Sequence, residues 1–168
     1  MANIPSLEKD QVEDIAKDIY EKFEKETNKV PEWVKVMAHS PKILKEFTEL
    51  FKVIMGKGEI GPYLKWKMAY TVSQTLKCPF CVDVTEKMLK KLGANEGAVK
   101  NPDGNSEIEE KVLELVKDIT DDACVSQVEV FEKLRKIFSE AQIVEIISVI
   151  GLFNYINRFN NTLGVLPE

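Results

Sequence analysis

Apolar residues recur along this chain at three- and four-residue steps, and no run shows sustained alternation bounded by turn signals. The first spacing lines up side chains on one face of a helix and the second on one face of a strand, so the chain reads as helical nearly throughout. Val12, Ile15, Ala16, Ile19, Tyr20 and Phe23 trace one such face, and the spacing predicts an amphipathic helix over 7–26. Pro31 opens a short helix with Trp33, Val34 and Met37 behind it. A proline suits that place because its ring presets φ, and the N–H it lacks is one that a first turn leaves unpaired. Ser40-Pro41 repeats the signal, and Ile43, Leu44, Phe47, Leu50, Phe51 and Ile54 mark a helix over 41–55. Beyond a glycine-rich break from Gly56 to Gly61, Pro62 opens a helix to about Leu76. Cys78-Pro79-Phe80-Cys81 leads into another that ends at Leu92, with Gly93 as its stop.

The second half starts after a polar loop from Asn95 to Asn105, broken by Gly97, Pro102 and Gly104. Ser106-Glu107-Ile108-Glu109, Ser126-Gln127-Val128-Glu129 and Ser139-Glu140-Ala141-Gln142 read as three helix starts of the capping-box kind. The first precedes a face made by Val112, Leu113, Leu115, Val116 and Ile119. The second helix runs to about Phe138. The third runs to about Leu163, with Gly164 past its end. From Ile143 to Phe153 only Glu145, Ser148 and Gly151 are not large and apolar. A helix that is apolar nearly all round is buried on every side, so this is the expected central helix of the core; the alternative is that part of it also lies in a subunit interface. The whole is an all-α domain of about seven or eight helices over 1–168, with no repeat and no linker long enough to divide it.

Composition narrows the function. At 168 residues the chain is long enough to bury a real core. Lys and Arg number 23 against 28 Asp and Glu, a net charge of −5, which argues against nucleic acid or an anionic membrane as partner. The start of the chain has neither a basic segment nor an apolar one, so no signal peptide is expected. The apolar stretch Ile143–Ile156 is too short for a span and contains Glu145. A cytosolic location follows as the expectation. One histidine, His39, excludes His-rich metal sites within one chain. Gly56-Lys57-Gly58-Glu59-Ile60-Gly61 spells a dinucleotide-binding pattern, with Asp83 downstream. That mechanism needs a preceding strand and a parallel sheet, so an interhelix loop is expected instead.

The remaining chemistry is sulfur. Of three cysteines, Cys78 and Cys81 form a C-x-x-C pair at a helix start. The thiolate is the reactive form, and an ordinary thiol with a pKa near 8.5 is only about 3% ionised at neutral pH. A helix N-terminus favours the anion, and Lys77 adds positive charge. Lowering the pKa by two units takes about 2.7 kcal/mol, more than a helix end supplies, so burial beside a hydrogen-bond donor or Lys77 must contribute. In a reducing compartment such a pair is redox-active, half of a zinc site, or two small apolar residues. Zinc needs four ligands, and only Cys124, His39 and carboxylates remain, none at matching spacing. Cys124 lies among acidic neighbours that disfavour its thiolate. Asp83 and Glu86 read as solvated charges, as do Lys87, Lys90 and Lys91.

Three stretches carry a resemblance: Lys65-Trp-Lys-Met-Ala-Tyr-Thr-Val-Ser-Gln-Thr-Leu-Lys-Cys-Pro-Phe-Cys81, Leu152-Phe-Asn-Tyr-Ile-Asn-Arg-Phe-Asn-Asn-Thr-Leu-Gly164, and Met37-Ala-His-Ser-Pro41. Over 31–168 the chain resembles the carboxymuconolactone decarboxylase/alkylhydroperoxidase D superfamily, which leaves 1–30 as an N-terminal helical extension. The resemblance implies an all-helical fold that forms homo-oligomers. It also implies peroxidase and thiol–disulfide exchange activity at the C-x-x-C pair. Cys81 would attack a small peroxide or disulfide and Cys78 would resolve. A thioredoxin-like or dithiol reductant would then reopen the Cys78–Cys81 disulfide, with no metal or organic cofactor. The family's proton relay places a Glu twelve residues before the first Cys and a His four residues after the second. Here those positions are Trp66 and Thr85, neither of which is a general base near neutral pH. Thr85, one turn after Cys81, offers a hydroxyl to a thiolate, and Trp66 would shield the site from water. Tyr70 and Ser73 share a helical stripe with Trp66 and Lys77 and are expected to line the pocket. His39 beside a helix start is a further candidate. Asn157 and Arg158 are read as structural. Two other functions remain open: a decarboxylase-type enzyme acting on a small lactone acid, and a non-catalytic oligomeric binding protein.

Overall fold

A computed structural model describes residues 3–94, 107–122 and 128–167. Among these, every regular element is helical: α1 (Asp14–Thr27), α2 (Glu32–Met37), α3 (Pro41–Met55), α4 (Pro62–Thr75), α5 (Pro79–Lys91), α6 (Glu107–Asp121), α7 (Val128–Leu134) and α8 (Glu140–Leu163), with one 3₁₀ turn over Lys9–Gln11. The local signals largely hold. Prolines open α3, α4 and α5. The Ser139 hydroxyl accepts from the Gln142 N–H while the Gln142 amide accepts from the Ser139 N–H, so the third capping box is formed. Gly164 ends α8 at φ 70. The loop over 95–105, the capping residues Ser106 and Ser126, and Cys124 lie outside the described residues.

The first helix departs from expectation. It begins at Asp14, and residues 3–13 form a strap rather than the opening turns of a helix. Glu8 and Gln11 close the 3₁₀ turn on each other, and Val12 is extended. The strap is held from outside: the Leu7 N–H donates to the Lys35 carbonyl at 3.3 Å, and the Tyr20 hydroxyl donates to the Leu7 carbonyl at 2.7 Å. Val12 is buried all the same. An extended strap and a helix both bury such residues, so spacing alone misreads where the helix begins.

The centre of the bundle is also not where the pattern pointed. α4 packs against α5, α6 and α8. Every residue from Lys65 to Ser73 is buried, so α4 is the helix enclosed on all sides. Its apolar pattern is interrupted by Lys65 and Lys67, yet both are buried with partners. The Lys65 Nζ donates to the Ile54 and Gly56 carbonyls at 2.7 and 2.8 Å and pairs with Glu145. Lys67 pairs with Glu109 at 3.0 Å and lies over the Tyr63 ring. α8 instead leaves Val144, Gly151 and Tyr155 exposed, Val144 to 66%. Ile43, Leu50 and Val53 of α3 are exposed as well, Val53 to 74%. Between α3 and α8 runs a mainly apolar groove of about 740 Å³.

The glycine pattern from Gly56 to Gly61 is an interhelix loop. The Glu145 carboxylate accepts from the Glu59 and Ile60 N–H groups at 2.8 and 3.1 Å and so pins the loop to α8. A Cβ at Gly58 would collide with that carboxylate, which explains one glycine without any nucleotide.

Candidate active site

The cysteine pair sits where one helix ends and the next begins. At the end of α4 the Cys78 N–H donates to the Ser73 carbonyl and the Lys77 N–H to the Gln74 carbonyl, each at 3.1 Å. This is a Schellman ending, and it demands a left-handed residue before Cys78. Lys77 fills that place at φ 52 although it is not glycine. Its exposed side chain is therefore placed by a backbone turn. Cys78 then caps α5, with Pro79 in the first turn.

This geometry turns Cys78 into an anion-favouring cap. Its Sγ accepts from the Cys81 N–H at 3.4 Å and lies 2.7 Å from the Cys81 Sγ. Both thiols are free, at 0% and 4% exposure. The sulfur–sulfur hydrogen bond holds Cys78 below the ordinary thiol range, aided by the Cys81 and Phe80 amides and opposed by burial. The same bond, with burial and the neighbouring charge, pushes Cys81 up. The two sulfurs thus titrate as one coupled pair, in which the anion is favoured on Cys78 over Cys81. Asn160 of α8 works against this asymmetry, because its Nδ2 donates to the Cys81 Sγ at 3.3 Å and favours an anion there.

Around the sulfurs lies an apolar shell of Val36, Phe80 and Val165, with Ile4, Trp33 and Phe159 packed on it. Ile4 belongs to the N-terminal strap. Asn3 anchors the strap to the end of α8, donating from its backbone N–H to the Leu163 carbonyl and from Nδ2 to the Thr162 carbonyl, each at 2.8 Å. The strap therefore covers the pair.

The other expected site residues divide. Ser73 is next to the pair through its carbonyl, but its hydroxyl donates to the Ala69 carbonyl at 2.7 Å. Thr85 is buried, and its one hydroxyl proton goes to the carbonyls of Cys81 and Val82 at 2.7 and 3.1 Å rather than to a sulfur. That hydroxyl reaches back one turn along its own helix, as threonine does in a helix interior. Trp66 packs edge-on against Phe153 and tilts against Phe51 in the main core, not in the shell around the sulfurs. Tyr70 accepts from the Gln74 amide at 2.8 Å, and burial, then Glu86, raise its pKa. His39 is exposed and donates from Nε2 to the Pro5 carbonyl at 2.8 Å, so it holds the strap and does not fold back to the sulfurs. Asp83 and Glu86 pair with Lys87 and Lys90 on the solvent face of α5. Asn157 donates to the Phe153 carbonyl at 2.6 Å, a structural bond. Among the described residues, no group of three or more His, Cys, Asp and Glu side chains is placed to hold a metal ion.

The residue that sequence reasoning missed is Asn160. Its signal was a polar amide one turn after Asn157 on a face otherwise made by Phe153 and Ile156, all of them buried. A buried amide on an apolar face needs partners; the Oδ1 atoms of Asn157 and Asn160 both have none, and it is the Asn160 amide that also touches a cysteine sulfur.

No protein-family model and no curated protein matches the sequence. Solved structures do match the fold. The structure of an alkylhydroperoxidase core, an uncharacterized peroxidase-related protein from Ralstonia eutropha, superposes with a TM-score of 0.85 at 20% identity, over 99% of this chain and 92% of that one. A second peroxidase-related protein, from Silicibacter sp., gives 0.87 at 20% identity, over 98% and 90% of the two chains. The debrominase Bmp8, in complex with 2,3,4-tribromopyrrole, gives 0.82 at 20% identity, over 98% and 91%. The chain therefore has the helical fold of the alkylhydroperoxidase D core.

Proposed function

We propose that this protein is a peroxidase-type thiol–disulfide oxidoreductase whose reacting groups are Cys78 and Cys81. The observation that carries the reading is the pair of free, buried sulfurs 2.7 Å apart at a helix start, in hydrogen-bond contact. The fold alone does not select a substrate, since a debrominase also has it, so the argument rests on the site.

Cys81 attacks and Cys78 resolves. Once ionised, Cys78 takes the Cys81 proton and so supplies the base that Trp66 and Thr85 do not. The Cys81 sulfur then bonds to one oxygen of a hydroperoxide, the O–O bond breaks, and the leaving alkoxide takes the proton from Cys78 to become an alcohol. The Cys78 thiolate then displaces hydroxide from the oxidised Cys81 and closes the disulfide, and the hydroxide regains from solvent the proton that Cys78 released on ionising, to leave as water. Two thiols and one hydroperoxide thus become one disulfide, one alcohol and one water. A dithiol or thioredoxin-like reductant returns the two electrons. No metal or organic cofactor takes part. The exposed apolar face of α3 and α8 binds a second copy of the chain, and a reducing cytosol keeps the resting pair open.

Cysteine-to-serine substitutions test the reading. Cys81→Ser and Cys78→Ser each abolish turnover with a hydroperoxide and a dithiol, while Cys78→Ser still accumulates sulfenic acid on Cys81, seen by mass spectrometry. Full turnover by Cys81→Ser sinks the assignment.

A further inference from the structure

We propose that Asn160 is the positioning residue of this thiol site, holding the Cys81 thiolate through Nδ2 and the donor hydrogen of the oxidant through Oδ1. This rests on the thiol–disulfide reading above and adds to it a residue from a different helix and a selectivity. Two observations carry it. The Nδ2 of Asn160 donates to the Cys81 Sγ at 3.3 Å. The Oδ1 of the same amide is buried and has no partner, in a residue 1% exposed. An unpaired buried acceptor costs about 1–3 kcal/mol, and a substrate that donates to it removes that cost.

Both ends of the amide serve one step. As the proton moves from Cys81 to Cys78, negative charge gathers on the Cys81 Sγ, and the Nδ2–H bond strengthens because its acceptor becomes ionic. Oδ1 is bonded to the same carbon as Nδ2, the atom that touches the sulfur, so an oxidant at that sulfur comes within its reach. An oxidant that carries O–H on the attacked oxygen can donate to it, and the S–OH product keeps that hydrogen and that bond. A thiosulfonate carries no such hydrogen and leaves Oδ1 unpaired. The site therefore discriminates by a hydrogen bond, a stronger basis than apolar fit. α8 keeps the amide in place through its own ending: the Asn160 carbonyl accepts from the Val165 N–H at 2.9 Å, and Val165 packs in the shell around the sulfurs.

The full-length chain is used throughout. In a Cys78→Ser background, where Cys81 ionises alone, iodoacetamide labelling of Cys81 is followed against pH by site-resolved mass spectrometry. Asn160→Leu, which keeps the size and removes both polar ends, moves the midpoint up and slows labelling near neutral pH about tenfold. Asn157→Leu, one turn away, leaves the midpoint unchanged. With both cysteines present, Asn160→Leu slows oxidation by tert-butyl hydroperoxide at least about fivefold more than oxidation by S-methyl methanethiosulfonate. If Asn160→Leu fails to fold, as read by circular dichroism, the smaller Asn160→Ala, which also removes both polar ends, replaces it with the same expectations. An unchanged midpoint, or equal slowing with the two oxidants, overturns the proposal. A wild-type chain whose pair ignores both oxidants overturns instead the redox reading on which it stands.

Discussion

Lys65→Met tests the buried ion pair that joins the glycine-rich loop, α4 and α8. Lys65 is fully buried, and its ammonium donates to two carbonyls, Ile54 and Gly56, and to the Glu145 carboxylate. Methionine preserves the length of the side chain and supplies no donor. Removing one partner of a buried pair costs about 3–5 kcal/mol. Glu145 keeps the Glu59 and Ile60 amides and 16% exposure of its side chain, so the low end of that range applies, about 3 kcal/mol. For a chain of this size that lowers Tm by roughly 6–12 °C. The effect also depends on pH. Burial pushes the Glu145 carboxyl up, but Lys65 and the two amides outweigh it and hold the group below its ordinary value of 4.5. A depressed carboxylate contributes stability above its unfolded pKa and loses it as pH falls through the folded one. The gap between wild type and variant is therefore full at neutral pH and narrows below 4.5. Urea unfolding of both proteins, with Glu145→Gln and the double variant to complete the cycle, measures it. A gap below about 1 kcal/mol at neutral pH, or one that does not narrow in acid, refutes the reasoning.

The exposed faces yield two further predictions. Val53→Glu places a charge on the open α3 face, so it weakens self-association about tenfold or more in sedimentation while folding stability changes by less than about 0.5 kcal/mol; an unchanged size distribution rejects that face as the contact. Asn3→Ala removes the side-chain anchor of the strap, worth about 1 kcal/mol, and speeds alkylation of the covered cysteines roughly fivefold; an unchanged rate shows that the strap does not control access.

The sequence was most legible where the physics is local. Pro41, Pro62 and Pro79 open the helices they announce, Ser139 and Gln142 cap α8 on each other, and Gly164 ends it. The cysteine pair was placed at a helix start by the same logic, because a proline after Cys78 has one natural place. Local rules misled where a different backbone satisfies the same spacing. Val12 is buried from an extended strap, and Lys77 shapes the site through its left-handed backbone, a role its charge did not announce.

Thus the sequence alone determined an all-helical chain, its helix ends and the pair of thiols, since caps, prolines and periodicity act within a few residues of each other. Tertiary structure decided which helix is central, why two lysines are buried, what covers the sulfurs and which amide touches them. Those answers depend on partners far along the chain: Asn160 meets Cys81 across 79 residues, and Glu145 meets Ile60 across 85. An apolar stripe states that a face is buried, and only packing states against what.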